Sequence, residues 1–588
     1  MLGLKDIFKQ QEDIQNVISG LEAGLHEQLV SGLSNSARTL YMTSIYEKTK
    51  KPLLIVTHNL LQAQKLYDDI TNIVDEKEVF LYPANELIAA EISIASPELK
   101  AQRIEVLNYW AKKKTGILIA PVAGLRKLLP PKKLWKEAQL VLEVGKEIDL
   151  EAFLMKLISL GYTRSDMVAS PGEFSVRGGI LDIYPLTEME PIRIELFDTE
   201  IDSIRTFSLE DQRSKEKREK AHIGPATEVL YNEKEIEHLI SQLEKGLAAS
   251  LKKMKDENAK TLLTQNIGRE LEQLKNGQKP EKLYKYLSIL YGEHISLIDY
   301  LPKNSFLIVD EISRVQEMNT TLEKEEADWY TSMLGEGEII HGLSLSQSIT
   351  TLLHQAVQPI VYLSLFLRHV PNTNPQNIIN ISCKQMQNFH GQMNVLKTEM
   401  DRWKKNHYTV VLLGNTKDRL EKVEQVLKDY EIEVMIQRDR KTISEGKIQL
   451  IEGNLQSGFE LPILKLAVLT EEELFKTKTK KLSSRRQKLS NAERIKSYSE
   501  LNIGDYVVHV NHGIGKYLGI ETLQINGVHK DYLHLRYQGD DKLYVPVEQI
   551  DLVQKYVGSE SKEPKIYKLG GNDWKKVKKK VESSVQDI

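Results

Sequence analysis

Residues 52–70 read Pro-Leu-Leu-Ile-Val-Thr-His-Asn-Leu-Leu-Gln-Ala-Gln-Lys-Leu-Tyr-Asp-Asp-Ile, and the pattern changes period halfway along. Leu53-Leu54-Ile55-Val56-Thr57 is a short apolar run suited to a strand covered on both faces. Asn59 is a helix N-cap candidate, and Leu60, Ala63, Leu66 and Ile70 then recur at helical spacing. A buried strand followed directly by an amphipathic helix is the unit of a parallel α/β layer. Ile117-Leu118-Ile119-Ala120 repeats the strand signal before Pro121.

Outward from this unit the pattern shifts several times. From about residue 141 to 209 the period becomes two: Ile192, Ile194 and Leu196 alternate with Arg193 and Glu195, and Ser175 shares a strand face with Arg177. This predicts a small sheet with one polar face. Residues 232–277 read as charged helices packing one stripe. Phe306-Leu307-Ile308-Val309 is another buried strand, ending in Asp310-Glu311. A second α/β unit spans about 375–470, with its clearest strand at 409–413 and its clearest helix at 419–430. Residues 476–496 carry nine Lys/Arg against the single Glu493. They read as a solvated linker, with a phosphate-contacting tether as the alternative. From Gly504 to Leu552 the pattern is all β, five short strands that fit a small barrel. Asn572 caps a helix expected from Trp574 onward. No stop signal precedes Ile588, so a fragment boundary is expected there.

Composition bounds the function. The chain has 588 residues and a net charge of -3, so it is multidomain and any nucleic-acid contact is local. Cys383 is the only cysteine, which excludes an internal disulfide or a CxxC metal site and fits a reducing cytosol. Residues 1–10 lack a secretory pattern, and no uncharged apolar stretch is long enough to cross a bilayer.

Residues 32–39, Gly-Leu-Ser-Asn-Ser-Ala-Arg-Thr, lie between a candidate strand and a helix. A working phosphate loop reads GxxxxGKT. Gly32 and Thr39 remain, but Ala37 stands for the second Gly and Arg38 for the Lys. A methyl group at Ala37 restricts the backbone and crowds the approach of phosphate, and Arg38 puts a bulky planar head on a longer stem. Asp310-Glu311 is placed as a magnesium-holding acidic pair would be, although a strand-end pair on the surface is the plainer reading taken alone. Together the two motifs read as an ATPase-like lobe without its phosphate cradle.

On these residues the chain resembles the bacterial transcription-repair coupling factor family. Gly32 to Thr39 with "PLLIVTHNLLQAQKLYDDI", then "IDYLPKNSFLIVDEISRV", resemble the nucleotide-site segments of UvrB. "VGKEIDLEAFLMKLISLGYTRSDMVASPGEFSVRGGILDIYPL" and "PIRIELFDTEIDSIRTF" resemble its second domain, and the segment from Ile503 to Gly558 resembles the polymerase-interacting domain shared with CarD-like regulators. UvrB's Tyr-rich hairpin has no counterpart around residues 80–85.

The resemblance implies an α/β multidomain chain. Its parts are a degenerate RecA-like (P-loop NTPase-like) UvrB-homology module with an inserted small α+β domain, a further small α/β domain, and a Tudor/SH3-like CarD-type β-barrel. The implied boundaries are a lobe at 1–125, a UvrA-binding domain at 126–215, the lobe's second part at 216–370, a small domain at 371–474, a basic linker at 475–497, the polymerase-interacting domain at 498–560, and a connecting helix from 561. It also implies UvrA contacts at Arg164, Arg177, Arg193 and Glu195, with Ser175 where UvrB has a further basic residue. Leu523 would anchor the RNA polymerase β subunit; from pattern alone it is equally a core residue, and a solvated face is the plainer reading of the charged sheet. The chain is then a cytoplasmic, monomeric adaptor in transcription-coupled repair. It would hold no cofactor and have no enzyme activity, since the family's ATP- and magnesium-using motor, an ATP-dependent translocase on double-stranded DNA, is expected beyond Ile588. The rival expectations are a UvrB-like helicase and a CarD-like transcription regulator.

Overall fold

A computed structural model describes residues 2–84, 97–112, 115–209, 213–280, 282–292, 294–438, 442–475, 501, 503–509, 512–525, 528–547, 552–556 and 564–569. The basic run at 476–496, the expected helix from Trp574, Asn85 and Asn511 lie outside the described residues.

The first layer is a seven-stranded sheet in the order Asn377–Asn380, Glu27–Ser31, Ile360–Ser364, Phe306–Val309, Leu53–Thr57, Ile117–Pro121, Val79–Leu81. Every neighbouring pair is parallel. Successive residues of one strand point to opposite faces, and here they feed two different cores. Leu54, Val56, Leu118, Ala120, Leu307 and Val309 join one; Leu53, Ile55, Ile117, Ile119, Phe306 and Ile308 join the other. This is why strand 53–57 reads as an unbroken apolar run. The helix after it runs Leu60–Thr71, and the Asn59 side chain accepts from the Gln62 amide at 2.8 Å.

Strands from both sides of the inserted domain share this sheet, so residues 1–125 and the part after 216 form one layer. Two expected boundaries move. Strand Asn377–Asn380, expected in the small domain, pairs with Glu27–Ser31 at the edge of the first sheet. The boundary at 215/216 falls inside strand Ser214–Arg218, which is paired to Glu200–Phe207. Strand Lys220–Ile223 then returns to pair with Leu140–Glu143. The sheet ladder, not the change of composition, decides where these units end.

The inserted unit is a six-stranded sheet in the order Ser214–Arg218, Glu200–Phe207, Ile192–Phe197, Ile180–Ile183, Glu173–Arg177, Thr163–Arg164. Its inward residues, among them Phe174, Leu181, Ile183, Ile192 and Ile194, continue the first core. Helices Glu233–Lys253 and Glu257–Lys275 pack on a core of their own with Tyr286, Ile339 and Ile340.

The later α/β unit is a mixed six-stranded sheet centred on Thr409–Gly414. Its Val411, Leu413, Phe459, Leu461 and Val468 join the second core of the front lobe, and Phe8 meets Phe459 edge-on with ring centroids 6.0 Å apart. The C-terminal unit is an antiparallel five-stranded sheet, Lys542–Pro546, Val528–Arg536, Gly513–Ile525, Tyr506–His509, Val553–Lys555. The long middle strand shifts register between Tyr517 and Gly519. Gly519 has φ +126°, which only glycine adopts without strain.

Candidate functional site

The strand Glu27–Ser31 ends at Gly32, whose φ is +93° and where a Cβ would lie 1.9 Å from the Ile381 carbonyl oxygen. Glycine is therefore required here by packing, whatever the loop binds. The helix starts at once, Asn35–Thr49, after Ser34. Ala37 thus lies inside the first helical turn, fully buried in the second core. Leu33 and Leu40 belong to the same buried cluster, so Ala37 is a core residue here.

Arg38 occupies the mouth instead. Its Nη1 donates to Asp310 Oδ1 at 2.6 Å, and its Nη2 donates to Glu311 Oε2 at 3.2 Å and to the Leu33 carbonyl at 2.8 Å. Burial opposes the charge, but the two carboxylates outweigh it and hold the Arg38 pKa above its ordinary value. Asp310 is buried and accepts a further bond from Gln62 Nε2 at 3.2 Å. Glu311, at φ +57°, accepts from the Leu365 amide at 3.0 Å. The acidic pair thus holds a guanidinium within the chain. A metal ion on Asp310 would have to displace it, costing the buried guanidinium its shortest bond.

Thr39 is buried, with its hydroxyl 3.5 Å from Asp69 Oδ2. Asp69 also accepts from the Ser36 hydroxyl at 2.7 Å and from the Gln456 amide at 2.8 Å, and the Ser457 amide donates to Ser36 Oγ at 3.2 Å. A loop of the later α/β unit is therefore stapled over the start of the helix. Burial raises the Asp69 pKa to about 6 against the pull of these donors. Beside this staple opens a cleft of about 1240 Å³, lined by the front lobe (Arg38, His58, Arg314), the later α/β unit (Asn415) and the C-terminal unit (Tyr517). Burial first, then the Arg314 charge, lowers His58 to about 4, so the ring is neutral at pH 7. The sequence pattern gave no sign of Asp69, Ser36 or His58 as junction residues, because their partners lie hundreds of residues away.

On the inserted sheet, register aligns Ser175, Asp182, Arg193 and Arg205 in one row across four strands, and Arg177, Ile180, Glu195 and Ser203 in the next. Arg177, Arg193 and Glu195 are thus brought together on one face. Arg164 pairs in register with the inward residue Phe174, so it belongs to the opposite side at the sheet edge. Arg193 grips buried Asp182 with two bonds, 2.8 and 2.9 Å, and lies 4.4 Å over the Phe207 ring. Arg177 reaches the same Asp182 at 3.1 Å but stays 48% exposed, against 13% for Arg193. Glu195 accepts from Ser203 at 2.8 Å and pairs with Arg205 at 3.2 Å. Ser175 is buried with its hydroxyl unpartnered, so it offers the face nothing.

In the C-terminal unit the core is Leu501, Val507, Tyr517, Leu533, Leu535, Tyr537, Val545, Val547 and Val553. Leu523 is half-buried and outside it. It lies in the outer part of the long hairpin. There, among the described residues, neither strand has a further neighbour: Tyr506–His509 pairs only as far as Lys516, and Lys542–Pro546 only from Tyr532.

Three family models match the chain: the UvrB interaction domain over residues 140–229, the MFD D3 domain over 403–474, and the CarD-like/TRCF RID domain over 501–557. The transcription-repair-coupling factor of Bacillus subtilis (strain 168) is 55% identical over all 588 residues. That of Staphylococcus haemolyticus is 42% identical over 568 residues, 95% of this chain and 48% of its own. The chain spans about half the length of the curated relatives it matches. A solved structure named "XPD_Helicase" aligns over 77% of this chain and 80% of its own at 11% identity, with a TM-score of 0.22, too low to carry an argument. No described helix is long and apolar enough to cross a membrane.

Proposed function

We propose that this chain, homologous along its whole length to transcription-repair-coupling factors, is the adaptor half of such a protein: it docks on RNA polymerase and recruits UvrA to stalled transcription. The observation that carries the reading is the presence on one chain of a UvrB interaction domain match at 140–229 and a CarD-like/TRCF RID match at 501–557. The first unit offers a fixed charged face, suited to partner specificity and steering. The second offers a hairpin whose backbone edges, among the described residues, pair with no further strand beside the half-exposed Leu523, which suits strand addition with an apolar anchor. Its occupant on the polymerase is the β subunit.

The front lobe is a RecA-like fold of degenerate kind, and the C-terminal unit a Tudor-like barrel. The Arg38 clasp on Asp310 and Glu311 supports a lobe that does not hydrolyse nucleotide. ATP, magnesium and double-stranded DNA belong to the rest of the family's length, and the chain acts as a bacterial cytoplasmic monomer.

Capture of both partners on the 588-residue chain tests this reading. Immobilised core RNA polymerase retains UvrA only when the chain is present. Leu523→Arg abolishes polymerase retention while the circular-dichroism melt of the chain is unchanged. Loss of the fold in that variant places Leu523 in the core and overturns its assignment as an anchor. DNA-stimulated phosphate release that disappears with Asp310→Ala overturns the non-catalytic reading in favour of a UvrB-like helicase.

A further inference from the structure

Helix Leu60–Thr71 serves two modules at once. Ala63, Leu66, Tyr67 and Ile70 pack into the front lobe. Leu61, 2% exposed, belongs to neither lobe core; its neighbours are the core residues of the C-terminal unit. One residue before the helix, Asn59 keeps its side-chain oxygen on the Gln62 amide and donates its NH2 to Asp531 Oδ2 at 3.1 Å. Helix Ile312–Gly335 also packs against strand Val528–Arg536.

Strand alternation fixes which face of the hairpin meets the lobe. Leu533 and Leu535 point inward, so Asp531 shares their face, and register puts Thr522 and Ile520 with it. Leu523 and Glu521 point the other way, and Glu521 pairs with His534 at 2.9 Å, whose ring stacks on Tyr544 at 4.8 Å. The lobe therefore holds the inner face of the hairpin while the Leu523 face stays turned outward. A contact on the lobe and a contact on a partner can exist together. Among the described residues the braced segment is also the part with no strand on either side, and a two-stranded ribbon on its own is marginally stable.

We propose that the start of helix Leu60–Thr71 is a brace for the docking hairpin, with Leu61 and Asn59 as positioning residues that hold the Leu523 face ready for the polymerase. This rests on the polymerase-docking reading above and extends it: the front lobe, having no nucleotide to bind, supplies rigidity to a site on another domain. Pre-ordering the hairpin lowers the ordering cost of docking, so loss of the brace weakens binding without removing any group that touches the partner.

The test is the affinity of the whole 588-residue chain for purified bacterial core RNA polymerase. Leu61→Asp suits the first helical turn, where an acid is favoured, and leaves both lobe cores intact. It is expected to weaken binding about tenfold and to speed hydrogen exchange of the amides of 519–525, while Leu61→Met keeps both at wild-type level. Asn59→Asp retains the cap, loses the donor and sets two carboxylates face to face. It is expected to weaken binding, and combining it with Asp531→Asn restores the bond and the affinity. Unchanged or tighter binding in Leu61→Asp and Asn59→Asp, with Leu523→Arg still defective, overturns the brace alone. Wild-type binding by Leu523→Arg overturns the docking reading, and the exchange of 519–525 in Leu61→Asp then decides the brace independently.

Discussion

Asp69 is a carboxylate with three donors and no cation, and its titration is set by burial. Its folded pKa of about 6 lies above the ordinary 3.8. The folded state therefore holds a proton between these values that the unfolded state has released. Stability falls as pH rises from about 4 to 6 and stays lower above, by roughly 3 kcal/mol for this group. Asp69→Asn is expected to remove that fall and to be the more stable protein at pH 7.5, with little difference at pH 4, measured as the difference in denaturant midpoint from wild type across this range. Buried His58, lowered to about 4, works in the opposite sense. It is neutral in the fold while the unfolded ring takes up a proton near 6.5, so its contribution is lost as pH falls from about 6.5 to 4. Subtracting wild type from Asp69→Asn cancels this second trend.

At the scale of one sheet, Asp182 separates two arginines that pattern alone treats as equal. It is a buried carboxylate gripped by Arg193 and touched by Arg177. Arg193→Ala leaves it with a single, half-exposed partner and is expected to destabilise the inserted domain by about 3–5 kcal/mol, seen as a lowered melting temperature. Arg177→Ala is expected to change stability by less than about 1 kcal/mol and still lose UvrA in a pull-down. If Arg177→Ala binds UvrA as wild type does, this face is not the UvrA surface. Arg164, in register with Phe174, is expected to contribute less than Arg177 in the same assay. Elements were legible where period alone sufficed: the Asn59 cap, strand 53–57 and the helices of 232–277 all stand. Side-chain roles on a face were not, because they depend on which strand lies next door.

At the scale of the molecule, the front lobe and the later α/β unit share a core, since Phe459 and Val468 lie in one cluster with Leu40 and Ile55. They should unfold together. Phe459→Ala removes a fully buried ring packed on Phe8 and is expected to cost about 3–5 kcal/mol. Calorimetry should show one shifted transition for both units; a shift of the small unit alone, with the lobe melting as before, would contradict a shared core.

The amino-acid order by itself determined the alternation of strand and helix, the polar face of the inserted sheet, the small β unit after the basic run, and the replacement of the phosphate-loop glycine and lysine by Ala37 and Arg38. These follow from periodicity and side-chain chemistry, which act over a few residues. Only the tertiary structure decided that Ala37 is a core residue and that Arg38 reaches Asp310, 272 positions away. It also decided that Asp69 clasps Gln456, that strand Asn377–Asn380 belongs to the first sheet, and that Leu61 completes a core more than 400 residues downstream. The reason is physical: a local pattern fixes which face of an element is apolar, but burial and pairing are properties of whatever that face meets.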